Sequence, residues 1–350
     1  MDITKLDKNM LGDGFEEEGL IFYPASTHPI KAFGIKASGE GFIRVDREIA
    51  AGINGGVSAM TNHLAGGRFI FKTNATKLAV KFRIPWDGVK VFNQANAGFD
   101  VYVRENGKQT LLHTYRPQEI DKDRYIKISR DLGEKKEREL VINFPMRSGV
   151  KELYIGLDEN ATLSAPTDYT VTKPVVFYGS SITMGLCVSR PGCTYEAIMS
   201  QTLDFEFVNL GFGGGAKGEK AMAEYIAGLE MSAFVLDYDH NSPNPTHLKE
   251  TQWEFYKTVR KSNPDTPIIM MSRPKYYLSD GEEERKAAIK DNYEKGIAEG
   301  DKNLYFIPGD TLMNELVRDC GTVDGIHPTD AGFFSMASVI MPLIKKLLAL

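Results

Sequence analysis

Cysteine is scarce in this chain: it has three, Cys187, Cys193 and Cys320, with no CxxC pair among them. Such a set supports neither a disulfide framework nor a thiolate zinc knuckle, and reduced thiols are expected. Long apolar runs are lacking too; none approaches the ~20 residues needed to cross a bilayer. Basic charge does not dominate, since 42 Lys and Arg stand against 47 Asp and Glu for a net charge of −5. This gives no electrostatic footprint for nucleic acid or anionic lipid, so neither is expected as a partner. The opening segment MDITKLDKNMLGDGFEEEG carries charges where a secretory leader needs an apolar core, and a cytoplasmic location is expected. Internal repeats and low-complexity tracts are absent as well.

What is present changes rhythm partway along. A chain of 350 residues is long for one core, so two domains are expected, over 1–165 and 166–350. In the first, FIFKTNATKLAVKFRI, GFDVYVRENGKQTLLHTY and ERELVINFP alternate apolar and polar residues, and ENGK reads as a hairpin tip. This spacing predicts an all-β sandwich of jelly-roll type, with AAGINGGVSAMTNHLAGG as a long loop. In the second, the apolar runs PVVFYG, FEFVNLG, SAFVLDY, TPIIMMS and NLYFIPG alternate with helical segments. That alternation predicts an α/β fold, a three-layer doubly wound parallel sheet, closed by the amphipathic helix AGFFSMASVIMPLIKKLLAL.

Ligands of open parallel sheets bind beyond the carboxyl ends of the strands. The first run there ends in Gly179-Ser180-Ser181, the second in Asn209-Leu210-Gly211-Phe212-Gly213-Gly214-Gly215, and the third in Asp239-His240-Asn241. Near the end of the chain VDGIHPTD places Asp324 three residues before His327. A serine hydroxyl becomes a useful nucleophile when an imidazole takes its proton and a carboxylate holds the far side of that ring. The tetrahedral intermediate needs donors aimed at its oxyanion, and the Ser181 N–H, Gly214 and Asn241 can supply them.

These four stretches resemble the blocks of the SGNH (GDSL-type) hydrolase superfamily, which carry Ser, Gly, Asn and His in that order. YGSSITMG is similar to the first block, VNLGFGGGAKGE to the second, DYDHN to the third and DGIHP to the fifth. The resemblance implies a flavodoxin-like fold over roughly 170–350, with Ser181 as nucleophile, Asp324 and His327 completing the triad, and no cofactor. The oxyanion donors it implies are Ser181, Gly214 and Asn241, with Gly213 an adjacent competitor to Gly214. GFDVYV is similar to the GxDLY signature of a β-sandwich that precedes some SGNH esterases, and related two-domain enzymes include carbohydrate deacetylases. The expected reaction is therefore hydrolysis of a short acyl ester, O-acetyl on a carbohydrate, through an acyl-enzyme. A lysophospholipase or thioesterase, and a silent glycan-binding protein, are the alternatives. Two positions depart from the pattern: Ser180 stands for the usual Asp and Asp239 for the usual Gly.

Other residues admit two readings. Arg190, in SRPGCTY, could hold a substrate hydroxyl or carboxylate, or brace its loop by a salt bridge. Asp310 rivals Asp324 as the carboxylate, and Cys187 is a second nucleophile without a placed base. Asp237, Asp239, His240 and His247 are the best metal set, but carboxylates with histidines on a flexible loop make a weak one, and no metal is expected. Trp86 and Tyr102 could stack on sugar or simply fill the sandwich core. The partner expected is a small-molecule or oligosaccharide ester, and the oligomeric state stays open.

Overall fold

A computed structural model describes residues 17–85, 94–117 and 125–350. The first part of the chain is made of β1 (Leu20–Pro24), β2 (Lys31–Phe33), β3 (Lys36–Ser38), β4 (Gly41–Ile43), β5 (Arg68–Thr73), β6 (Lys77–Arg83), β7 (Phe99–Glu105), β8 (Lys108–Tyr115), β9 (Ile126–Asp131), β10 (Arg138–Asn143), β11 (Glu152–Asp158) and β12 (Leu163–Ser164). One antiparallel sheet runs β1-β11-β6-β9; the other runs β12-β5-β10-β7-β8, with β2 also on β5. Their inner faces meet in one cluster, Phe69, Phe71, Phe99, Val101, Leu140 and Ile142 from one sheet against Leu78, Val80, Phe82, Leu153 and Ile155 from the other. The period-two pattern read in the sequence is this in-and-out alternation. Phe82, Phe99, Phe144, Phe69 and Phe42 continue it as a chain of edge-to-face rings.

The stretch expected as a long loop, residues 50–67, instead holds the end of one short helix, α1 (Arg47–Ile53), and the whole of a second, α2 (Gly55–Ala59). Their Gly and Asn content argues against helix locally. Tertiary contact overrides it: Ala50 and Val57 are fully buried, and the Asn54 side chain caps α2 by accepting from the Val57 N–H at 2.8 Å. A further short helix, α3 (Gln94–Ala97), precedes β7.

From Val171 the chain becomes α/β. Strands β13 (Val171–Gly179), β14 (Phe205–Gly211), β15 (Ala233–Asp237), β16 (Ile268–Met271) and β17 (Leu304–Ile307) form a parallel sheet in the order β14-β13-β15-β16-β17. This is the flavodoxin-like order, in which the sequence direction reverses between β13 and β15. Helices α4 (Ser181–Met184), α5 (Tyr195–Leu203), α6 (Lys220–Ala227), α7 (Pro245–Ser262), α8 (Asp280–Ala298) and α9 (Asp330–Leu347) connect and cover the strands. Val175 and Phe177 of β13 face α5 and α9 through Tyr195, Met199, Phe333 and Met336. Val176 and Tyr178 face α6 and α7 through Met222, Ile226, Leu248 and Phe255. A strand covered on both sides in this way reads as a continuous apolar run. Among the described residues no helix is long and apolar enough to cross a membrane.

Beneath the first strand end lies a buried acid. Asp237 accepts from the Thr183 hydroxyl at 3.0 Å, and burial pushes its carboxyl up from an ordinary 3.8 to about 8. Glu196 is buried close by and also pushed well up by its burial. A carboxyl whose pKa is higher folded than unfolded takes up a proton on folding, so stability falls as pH rises from the unfolded value toward the folded one. Replacing Asp237→Asn removes one such proton. The slope of unfolding free energy against pH between about 4 and 8 should then flatten by about 1.4 kcal/mol per pH unit, as read by urea denaturation; an unchanged slope would contradict the assignment.

Candidate active site

The turn after β13 is built by short hydrogen bonds. Ser180 caps α4, its hydroxyl accepting from the Ile182 N–H at 3.1 Å, while its own N–H donates to the Asp237 carbonyl at 3.1 Å. The departure from Asp to Ser at this position therefore keeps a helix cap. Ser181, next along, begins α4 with a half-buried side chain, and none of the described residues accepts its N–H.

A second loop closes on this turn. The Val323 N–H donates to the His327 carbonyl at 2.9 Å, and Thr322 bridges to Pro328, folding 322–328 back on itself just before α9. Within it the Asp324 Oδ1 accepts from the Ile326 and His327 N–H groups at 2.9 and 2.8 Å, and Oδ2 lies 2.7 Å from His327 Nδ1. Slight burial raises the Asp324 carboxyl, but the hydrogen bonds from His327 and Ile326 outweigh it and hold it at about 2. With Nδ1 donating to that carboxylate, Nε2 is left as acceptor and sits 2.9 Å from Ser181 Oγ. The structure thus brings Ser181, His327 and Asp324 into one hydrogen-bonded line across 146 residues of sequence.

The donors lie opposite. Asn241 ends a short 3-10 turn after β15, and its amide is oriented by two neighbours. Its Oδ1 accepts from the Gly214 N–H at 3.1 Å and its Nδ2 donates to the Phe212 carbonyl at 3.0 Å. A flipped amide would set oxygen against oxygen. One Nδ2 hydrogen remains for a ligand, whereas the Gly214 N–H is already engaged. Gly214 adopts φ +71°, a conformation that favours glycine. Gly213 presses against the nucleophile turn, where an added Cβ would come within 3.1 Å of Ser181 Cβ, and none of the described residues accepts its N–H.

The remaining candidates are placed elsewhere. Arg190 Nη1 bonds the Tyr102 hydroxyl and lies 3.4 Å from Asp100 Oδ2, so its guanidinium braces the loop against the sandwich. Tyr102 is buried with its ring against Gly192. Trp86 lies outside the described residues. Asp310 pairs with Lys286 at 3.3 Å. Burial and the nearby Asp324 carboxylate push the Cys187 thiol up, the reverse of nucleophile activation. Of the metal candidates, Asp237 holds Thr183, Asp239 holds Arg273 and Arg285 at 3.2 and 2.7 Å, and His247 Nδ1 lies 2.9 Å from the Ser242 hydroxyl. Among the described residues no three His, Cys, Asp or Glu side chains converge as a metal site.

Sequence reasoning missed Asp100, the acid of GFDVYV. Fully buried, it accepts from Asn143 Nδ2 at 2.9 Å and from the Gly192 N–H at 2.8 Å, tying the sandwich to the loop after Ser181. The signal was an acid inside an apolar strand, which requires partners.

Residues 172–345 match the model described as the GDSL-like lipase/acylhydrolase family, and residues 21–163 match the N-terminus of SGNH hydrolase-type esterases. No curated protein matches the chain. Among solved structures, a protein assigned as a GDSL-like lipase from Bacteroides ovatus is 29% identical, with a TM-score of 0.83 over 94% of this chain and 98% of that one. A salicylyl-acyltransferase from a tetracycline biosynthetic pathway is 18% identical, with a TM-score of 0.79 over 95% and 98%. A family two carbohydrate esterase from Clostridium thermocellum, in complex with cellohexaose, is 15% identical, with a TM-score of 0.66 over 91% and 99%.

Truncating Asp100→Ala strands the Gly192 N–H and one partner each of Asn143 and Arg190. The unfolding free energy should drop by about 1–3 kcal/mol in urea titrations, and a change below a few tenths would contradict the anchoring role.

Proposed function

We propose that this chain, a member of the GDSL-like lipase/acylhydrolase family with an SGNH-esterase N-terminal region, is a serine esterase that removes a short acyl group, O-acetyl, from a carbohydrate. The observation that carries the reading is the line from Ser181 Oγ through His327 to Asp324, at 2.9 and 2.7 Å. Ser181 Oγ attacks the ester carbonyl carbon while His327 Nε2 takes the hydroxyl proton. Negative charge moves to the carbonyl oxygen, where the Ser181 N–H, the free Asn241 Nδ2 hydrogen and the Gly213 N–H stabilise it, Gly214 serving through the bond that orients the Asn241 amide. The intermediate collapses, the C–O bond to the sugar breaks, and the imidazolium returns its proton to the departing oxygen. Water then adds to the acyl-enzyme with His327 as base, and collapse releases the acid and restores Ser181. Asp324 holds the ring in the tautomer that both half-reactions need.

Residues 166–350 are the catalytic unit in this reading, with 1–165 bracing it. The carbohydrate preference draws support from structural neighbours named as carbohydrate esterases and from another described as an acetyl xylan esterase from Butyrivibrio proteoclasticus. No step calls for a cofactor.

Purified chain should hydrolyse p-nitrophenyl acetate and release acetate from acetylated oligosaccharides, with kcat falling by about 10⁴ or more in Ser181→Ala. Preference for p-nitrophenyl palmitate would favour the lysophospholipase or thioesterase reading. Absence of Ser181-dependent turnover on every ester would point to a silent binding protein.

A further inference from the structure

We infer that Arg44 and Asn54, both from the N-terminal region, are positioning residues that hold the second-block loop in register with Ser181, so that the oxyanion site is assembled by both parts of the chain. This rests on the reading of Ser181 as nucleophile.

Arg44 follows β4 and is 5% exposed, yet among the described residues no carboxylate pairs with it. Burying a cation costs several kcal/mol unless its hydrogen bonds are well met. Its Nη1 donates to the Asn209 carbonyl at 3.0 Å and the Gly211 carbonyl at 2.9 Å, and lies 3.4 Å from Asn209 Oδ1. Its Nη2 reaches the Met60 carbonyl at 3.4 Å, and the guanidinium stacks 4.5 Å from the centre of the Phe212 ring. Burial lowers its pKa to about 9, which leaves it charged at neutral pH. A side chain present only to fill space would be apolar; this one leaves Nε unpartnered but spends Nη1 on the Asn209 and Gly211 carbonyls at the end of β14, the stretch leading into Gly213 and Gly214.

Asn54 grips the far side of the same loop. Its Nδ2 donates to the Gly215 carbonyl at 2.8 Å and to Glu219 Oε1 at 2.5 Å. Glu219 in turn accepts from the Lys217 N–H at 3.1 Å and the Tyr178 hydroxyl at 2.9 Å, which ties this end to β13. Beside it, a Cβ on Gly56 would come within 3.0 Å of Gly215 Cα, so the two backbones touch directly. The loop is therefore fixed at 209–212 and at 215–219 by residues from the sandwich side, with Gly213 and Gly214 suspended between. Oxyanion donors act through being fixed before charge develops, and a loosened loop loses transition-state stabilisation more than substrate binding.

The test compares full-length wild type with Arg44→Lys, Arg44→Met and Asn54→Asp. The last keeps the acceptor that caps α2 and removes the amide donor to Gly215. Two rates are read beside thermal unfolding: kcat and KM on p-nitrophenyl acetate, and labelling of Ser181 by a fluorophosphonate, in which Oγ bonds to phosphorus and fluoride leaves. Arg44→Met and Asn54→Asp should lower both kcat and the labelling rate by about ten- to a hundredfold, with KM within about threefold, and Arg44→Lys should fall between. Folded variants with both rates within twofold of wild type would overturn the inference. If Arg44→Met does not fold, Asn54→Asp decides by the same criterion. A wild type that is labelled at Ser181 but turns over no ester defeats the substrate reading alone, since the labelling rates still judge the loop. A wild type inert to both probes overturns the inference as well.

Discussion

The site depends on the placement of β13 between two parallel neighbours. Because β14 and β15 flank it, the chain leaving β13 cannot turn without meeting the ends of both. The Gly179 carbonyl accepts from the Phe212 N–H at 2.9 Å on one side, and the Ser180 N–H donates to the Asp237 carbonyl on the other. Those two bonds continue the sheet ladder one residue past the strand and set the nucleophile turn at the point where strand order reverses. Everything that converges there, the Gly213–Gly214 turn from β14 and Asn241 from β15, arrives because its strand is hydrogen-bonded to β13. Only the imidazole comes from a distant part of the chain.

The sandwich contributes more than an appended module would. Asp100 fastens the loop after Ser181 by the Gly192 N–H, Arg104 reaches Asp204 at the start of β14 and the carbonyls of Thr167 and Asp168 in the connector, and Arg68 reaches the Phe207 carbonyl and the Tyr169 hydroxyl. Three buried cations or acids thus cross the boundary: Asp100 meets backbone, amide and guanidinium donors, Arg104 the Asp204 and Glu139 carboxylates besides its carbonyls, and Arg68 carbonyls and a hydroxyl. Such contacts are directional and costly to break, which makes the relation between the two parts specific.

How much of this was legible follows from the range over which each feature is determined. The five parallel strands are legible because strands covered on both faces demand apolar residues at every position, and their ends place Ser181, Gly214 and Asn241 as neighbours. Asp324 and His327 were legible as a pair because three residues suffice to connect them. By contrast α2 and the end of α1 carry no helical signal, since Gly and Asn have no helical preference and the partner that makes them fold is the 209–219 loop, over 150 residues away. Arg190 could not be resolved between substrate and brace, because its partners Tyr102 and Asp100 lie 88 and 90 residues upstream. The engagement of the Gly214 N–H by Asn241 likewise rests on an amide orientation that no one-dimensional pattern encodes.

The loop carrying Asp324 and His327 behaves as a prefabricated cartridge. Its carboxylate, ring and both backbone N–H groups are wired to one another within a single turn, and α9 follows directly as its handle. One hydrogen bond, that between imidazole and hydroxyl, joins these wired groups to Ser181, and the ring's alignment within the turn does not depend on it. The tautomer that proton transfer needs is therefore set inside this turn, independently of the one bond that joins the ring to the nucleophile.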